Sequence, residues 1–276
     1  MTPRLRERAR RSRAVAVAAL VAALSPALRA SEEVPRCAGR HDLASPVPES
    51  CLETIDTDRP HQTDTPHVVA AGHVQIESAI AAVALGGELG AAPGARGARL
   101  AVLENNYKVG VVDHVDVQLL FKHAEYLPER TRFAPPGPYN LRVKLNIVSE
   151  HGPVPAVTLV PTLFVPVERA RSVRGGAIVF WGWELPGDFE LEMNAGALFG
   201  KAPKAVAAVL AAAVTRPVLG KLKAFVDVYA SGWDIALGTG LLIPITRDVQ
   251  LDGGAYIGVH GDVAVVTPFA GVSVRR

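Results

Sequence analysis

The feature that most restricts this chain is a two-residue alternation of apolar and polar side chains. It recurs in stretches of about ten residues separated by turn residues. Across residues 188–198, Phe189, Leu191, Met193, Ala195 and Ala197 fall on one face, and Glu190, Glu192, Asn194 and Gly196 on the other. Leu141, Val143, Leu145 and Ile147 oppose Asn140, Arg142, Lys144 and Asn146. Val115, Val117 and Leu119 oppose Asp116 and Gln118, and Val249 and Leu251 oppose Gln250 and Asp252. Leu222, Ala224, Val226 and Val228 oppose Lys221, Lys223, Asp227 and Tyr229. Side chains of a strand point alternately to its two faces, so each stretch has one apolar and one polar side. A helix would spread Glu190, Glu192 and Asn194 around its axis.

The pattern predicts an all-β fold: an up-and-down antiparallel barrel of about twelve strands behind an irregular N-terminal segment. The expected spans are 73–85, 98–110, 114–124, 139–148, 155–165, 175–184, 187–198, 204–214, 220–230, 233–244, 248–258 and 263–274. The stretch 204–214 is nearly all Ala and Val, and its alanines also suit a short buried helix. The links 86–97, 125–138 and 166–174 are long, whereas 111–113, 149–154, 185–186 and 245–247 are short. That asymmetry fits a membrane barrel with short periplasmic turns, longer outer loops and both termini inside.

Three regions follow. Residues 1–30 read as a secretory signal peptide: Arg4, Arg6, Arg8, Arg10, Arg11 and Arg13 precede an apolar run from Ala14 to Leu24, with cleavage expected near Ala30. The apolar run is short for a spanning helix, which needs about 20 residues. Residues 31–72 are rich in Pro, Ser, Thr, Asp and His and form the irregular segment, a candidate plug. Residues 73–276 form the barrel. The whole chain has 29 basic and 27 acidic residues, but seven Arg and one Glu lie in residues 1–30. The remainder has 22 basic and 26 acidic residues, a net of −4. No basic face suggests nucleic acid. Cys37 and Cys51 both follow the signal, and an oxidising periplasm favours a disulfide between them.

One segment carries a family resemblance: Asp56-Thr57-Asp58-Arg59-Pro60, then Thr63-Asp64-Thr65-Pro66, then Ala71-Gly72-His73-Val74-Gln75-Ile76-Glu77. It resembles the opening of the outer-membrane β-barrel family named after the phenol meta-degradation pathway. Weaker matches lie at Tyr107-Lys108-Val109-Gly110, Val115-Asp116-Val117-Gln118 and residues 268–275. The resemblance implies an outer-membrane barrel that serves as a transporter, with outer-membrane lipid and the barrel assembly machinery as partners. It brings no substrate, cofactor or catalytic residue. The chain ends on Arg276, where such barrels usually end in an aromatic that the assembly machinery reads.

The candidate sites are polar. With apolar faces toward lipid, the lumen is expected to hold Glu77, Asp116, Arg142, Lys144, Glu190, Glu192, Lys221, Lys223, Asp227 and Asp252. Both signs are present, so the wall suits either a solute-selecting channel or a closed network of ion pairs. Asp58, Arg59 and Asp64 are the expected plug anchors, with Arg59 reaching Glu77 or Asp252. Asp56, Asp58, His61, Asp64, His67, His73 and Glu77 cluster loosely in sequence but match no metal-ligand spacing, so no metal is expected. No G-x-S-x-G elbow, phosphate loop or dinucleotide fingerprint occurs, so no enzyme and no cofactor is expected. Trp181, Trp183, Trp233, Tyr107, Tyr126, Tyr139 and Tyr229 are placed for an interfacial girdle.

The function read from the sequence is passive passage or capture of a small solute, apolar or aromatic if the family name is a guide. Two alternatives share the periodicity. One is a periplasmic barrel with its apolar face inside around an apolar ligand. The other is a sealed structural barrel of a Gram-negative envelope.

Overall fold

The computed structural model describes residues 37, 39–60, 62–88, 96–127, 132–134, 138–167, 173–200, 206–231, 234–260 and 263–276. The strands are β1 (Val74–Glu88), β2 (Arg96–Val112), β3 (Val115–Leu127), β4 (Arg132–Ala134), β5 (Tyr139–Val148), β6 (Ala156–Val165), β7 (Arg174–Leu185), β8 (Phe189–Phe199), β9 (Val206–Leu219), β10 (Leu222–Ser231), β11 (Asp234–Pro244), β12 (Val249–His260) and β13 (Val263–Arg275). Each strand pairs antiparallel with its neighbours in sequence. The three-residue β4 is an exception, since it extends β3 while β5 pairs with β3 directly.

The sheet closes where β1 meets β13, with Gln75 opposite Arg275 and Glu77 opposite Ser273. This gives a twelve-stranded barrel, and closure removes the exposed sheet edges. The chain enters and leaves at one rim, called lower here, where Val74 and Arg276 exchange backbone hydrogen bonds. The lower rim also holds the short β2–β3, β5–β6, β7–β8, β9–β10 and β11–β12 turns. In the β7–β8 turn Gly187 and Asp188 have positive φ, 85° and 58°, a conformation that glycine and aspartate tolerate best.

The alternation decides which face is outside. Leu210, Val226, Ile235, Leu237, Leu241 and Ile257 are all exposed on the outer surface. Glu77, Asp116, Gln118, Lys144 and Asn194 are buried on the inner one. A soluble ligand carrier needs the opposite arrangement, so this barrel is not of that kind. No helix among the described residues is long and apolar enough to cross a membrane, which says nothing of strands.

The stretch 204–214 belongs to a strand, since Val206–Leu219 pairs with both β8 and β10. Its small residues have a local reason. Val209, Ala211 and Ala213 point inward and are buried, while Leu210 and Val214 point out. The lumen is also less uniformly polar than the sequence pattern implied. Val160, Ile178, Phe180 and Val209 form one buried inner cluster, and Phe225, Leu242 and Phe269 another. Tyr229 packs on the first of these, so it lines the lumen and is no part of an outer girdle. Trp233 and residues 1–30 lie outside the described residues.

Candidate functional site

Residues 55–60 and 62–71 run into the barrel and fill its middle. Ile55, Thr57, Asp58, Thr63, Thr65, Val69 and Ala71 are buried there. Turn-forming residues let an irregular chain pass through a sheet-lined space, but its backbone groups then need partners from the wall. The wall supplies them. Asp58 and Arg59 donate their backbone N–H groups to Glu77, both at 3.2 Å. Val69 donates to Asp116 at 3.0 Å, and Gln62 to Asp227 at 2.6 Å. Asn194 accepts from the Asp64 N–H at 2.7 Å and donates to the Asp64 carbonyl at 2.8 Å. Thr158 donates to the Pro66 carbonyl, Tyr256 to the Pro60 carbonyl, and Gln250 to the Thr57 hydroxyl.

Asp58 is the hub. One of its carboxylate oxygens lies 2.6 Å from Lys144 Nζ and the other 2.6 Å from Lys108 Nζ. Lys108 also pairs with Glu77. Lys144 further donates to the carbonyls of Thr65 and His67, at 2.7 and 3.0 Å. Lys108 and Lys144 are essentially fully buried. Two buried ammonium groups demand anions in contact, which Asp58 supplies to both and Glu77 to Lys108. Two outlying pairs frame the hub: Arg142 with Asp64 at 2.9 Å and Arg59 with Asp252 at 3.1 Å. The Arg59 contact uses one guanidinium nitrogen, and the ring of Phe269 lies 5.9 Å from its centre.

Glycines on the inner face let the segment approach. A side chain begun at Gly110 would lie 2.1 Å from the Ala70 carbonyl oxygen, and one at Gly182 would lie 3.0 Å from Pro66. Replacing Gly110 with Val is expected to cost about 1–3 kcal/mol through this overlap with backbone. Thermal unfolding of the two proteins in the same lipid checks it. An unchanged midpoint would mean that residues 69–70 do not rest on β2.

The segment before the plug lies across the lower rim. Cys37 and Cys51 are bonded, with Cα atoms 5.6 Å apart. His41 contacts Asp113 in the β2–β3 turn, and Val47 pairs with Ala71. On the other side Arg247 donates to the Glu49 carbonyl and Arg275 to the Glu53 carbonyl.

Two cavities lie on either side of the plug, and no residue lines both. The upper one has a volume of about 700 Å³, with Asp58, Arg59 and Asp64 among its lining plug residues. The lower one has about 570 Å³ and is lined by Glu190, Glu192 and Lys223 with the plug's Asp56 and His67. Lys223 and Glu190 pair at 2.5 Å.

The structure therefore brings most of the expected residues together. Glu77, Asp116, Arg142, Lys144, Asp227 and Asp252 all touch the plug, and Asp58, Arg59 and Asp64 are its contact points. Glu190, Glu192 and Lys223 line the lower cavity instead. Lys221 does not belong with them: it sits exposed in the β9–β10 turn, where the chain reverses before the lumen-facing alternation resumes. Asp248 likewise lies in the β11–β12 turn, bonded to Arg275 at 2.6 Å. Sequence reasoning missed Lys108. Its signal was present, because Asn106, Lys108 and Gly110 alternate with Tyr107 and Val109. Of the loosely clustered acids and histidines, His61 lies outside the described residues. No group of three or more His, Cys, Asp or Glu among the described residues is placed to hold a metal ion.

Fold and site together define a β-barrel filled at its middle by its own N-terminal segment. Residues 57–275 match the family described as "Putative MetA-pathway of phenol degradation", and the chain belongs to that family. The match begins inside the plug, so plug and barrel fall within one family unit. No curated protein matches the sequence. Among solved structures, the attachment invasion locus protein Ail of Yersinia pestis is 13% identical, with a TM-score of 0.22. That alignment covers 74% of this chain and 98% of Ail.

Proposed function

We propose that this chain is an outer-membrane barrel that captures a small solute above its plug and lets it pass only when the plug shifts. The observation that carries the reading is the position of residues 55–71, between two cavities that share no lining residue. The apolar outer surface supports the membrane location, since barrels in lipid carry their apolar band outside. The upper cavity supports capture: its volume lies within the range of small-molecule sites, and its lining mixes aromatic, aliphatic and charged groups. In this reading the barrel is not an enzyme, and its ion pairs position the plug. An N-terminal signal would deliver it to the periplasm for insertion by the assembly machinery.

Deleting residues 56–66 tests the proposal. The deleted barrel should still insert, show a heat-modifiable band on a gel, and conduct in planar bilayers far above the intact protein. An inserted barrel with unchanged conductance would make the segment a tether and remove the gating reading. Failure to fractionate with outer membranes would remove the location.

A further inference from the structure

Resting on the capture reading, we infer that the upper cavity takes a small amphipathic carboxylate, with its anionic end at Arg174 and its apolar body against Leu198 and Tyr229.

The charges of the cavity decide the class. Arg59 is met by Asp252, Lys122 by Glu104 at 3.3 Å, and Arg142 by Asp64. Asp58 and Glu77 are met by the buried lysines behind them. Arg174 is different. Among the described residues no carboxylate lies within ion-pair distance of it, and its contact is with an aromatic ring, Phe164, at 5.3 Å from the ring centre. Phe164 is its direct cross-strand neighbour on β6. A cation–π contact takes up none of the guanidinium N–H groups as hydrogen-bond donors, so they remain for a ligand, and a carboxylate matches their fork.

The register on β7 sets the ligand's shape. Arg174, Gly176, Ile178 and Phe180 follow one another on the inner face of the strand. Gly176 lies between the cation and the apolar wall, where β8 presses close. A side chain there would meet the Ala197 carbonyl oxygen at 2.3 Å and Leu198 at 2.8 Å. The six residue steps from Arg174 to Phe180 span about 20 Å, which bounds the ligand's length. Leu198 and Tyr229 complete the wall and are only partly buried, so it has surface left to cover. Covering an apolar wall is favourable for a neutral ligand too, and the unmatched cation then selects the charged one.

The test compares 4-phenylbutyrate with its neutral amide, by calorimetric titration of the full chain in lipid nanodiscs with empty nanodiscs subtracted. The acid is expected to bind about tenfold more tightly, the scale of a charge-assisted contact at a half-open site. Arg174→Gln should bring the acid down to the affinity of the amide and leave the amide unchanged. Arg174→Lys should keep part of the preference. Equal binding of acid and amide by the natural chain would overturn the carboxylate assignment while capture stands. A preference that survives Arg174→Gln would overturn the role of Arg174. Binding of neither compound would overturn capture and this inference together. Arg174 lies exposed at the upper end of its strand, and a retained heat-modifiable band confirms that each variant is folded.

Discussion

Replacing Asp58 with Ala is expected to drive the plug out of the lumen while the barrel remains closed. The substitution removes the anion that touches both Lys108 and Lys144, each at 2.6 Å. Glu77 stays against Lys108, but Lys144 keeps only the carbonyls of Thr65 and His67, and those belong to the same segment. Breaking a buried pair by removing one partner costs about 3–5 kcal/mol, because the remaining charge is left uncompensated. The barrel has no reason to unfold, since its antiparallel ladders, including the β1–β13 closure, do not involve residue 58. The lower-cost response is for residues 55–71 to leave and for water to reach the two lysines. Ion conductance in planar bilayers should rise, and endoproteinase Asp-N, which cuts before aspartate, should gain access to Asp56 and Asp64. Asp58→Asn keeps the shape and tests charge alone. A closed, protease-resistant barrel in both variants would show that neutral hydrogen bonds, such as those from Asn194 and Gln250, hold the plug unaided.

This hub marks the limit of what the sequence disclosed. The strands were legible because alternation is a local property. The span 139–148 was read as it stands, and 263–274 differs from β13 by one residue. Facing was legible for the same reason, as the buried Asp227 and the exposed Val226 beside it show. The plug was legible only as a segment too rigid in its prolines for a free tail. Which of its residues mattered most was not. Arg59 looked like the anchor because guanidinium is the usual fork for carboxylates. Asp58 proved central because β2, β3 and β5 lie side by side, with Lys108 opposite Gln118 and Asp116 opposite Lys144. That adjacency puts two lysines around one point inside the barrel, and no local pattern encodes it. The inner aromatics Phe180, Phe225 and Phe269 were illegible for a related reason. Polarity tells the two faces of a strand apart only where one is uniformly polar, and a cavity wall is not.

The depth of the outer surface gives the other large effect. Leu237 lies within β11, opposite Val228 on one side and Ile257 on the other, and all three are exposed and apolar. Ile245, just past the end of the same strand, is also exposed, but it lies in the β11–β12 turn at the lower rim. In water the two sites are equivalent, and an arginine would cost little at either. In a bilayer they are not. Arginine near the midplane of a barrel costs about 2–4 kcal/mol, and near the interface about 0–1 kcal/mol. Leu237→Arg should therefore lower stability in lipid vesicles by about 2–4 kcal/mol, and Ile245→Arg by less than about 1 kcal/mol. Reversible denaturant titrations followed by tryptophan fluorescence measure both. The difference between the two sites carries the test, because it cancels the intrinsic cost of exchanging an aliphatic side chain for arginine. Equal losses at Leu237 and Ile245 would mean that the apolar band meets something other than lipid, and the membrane reading of this barrel would fall with it.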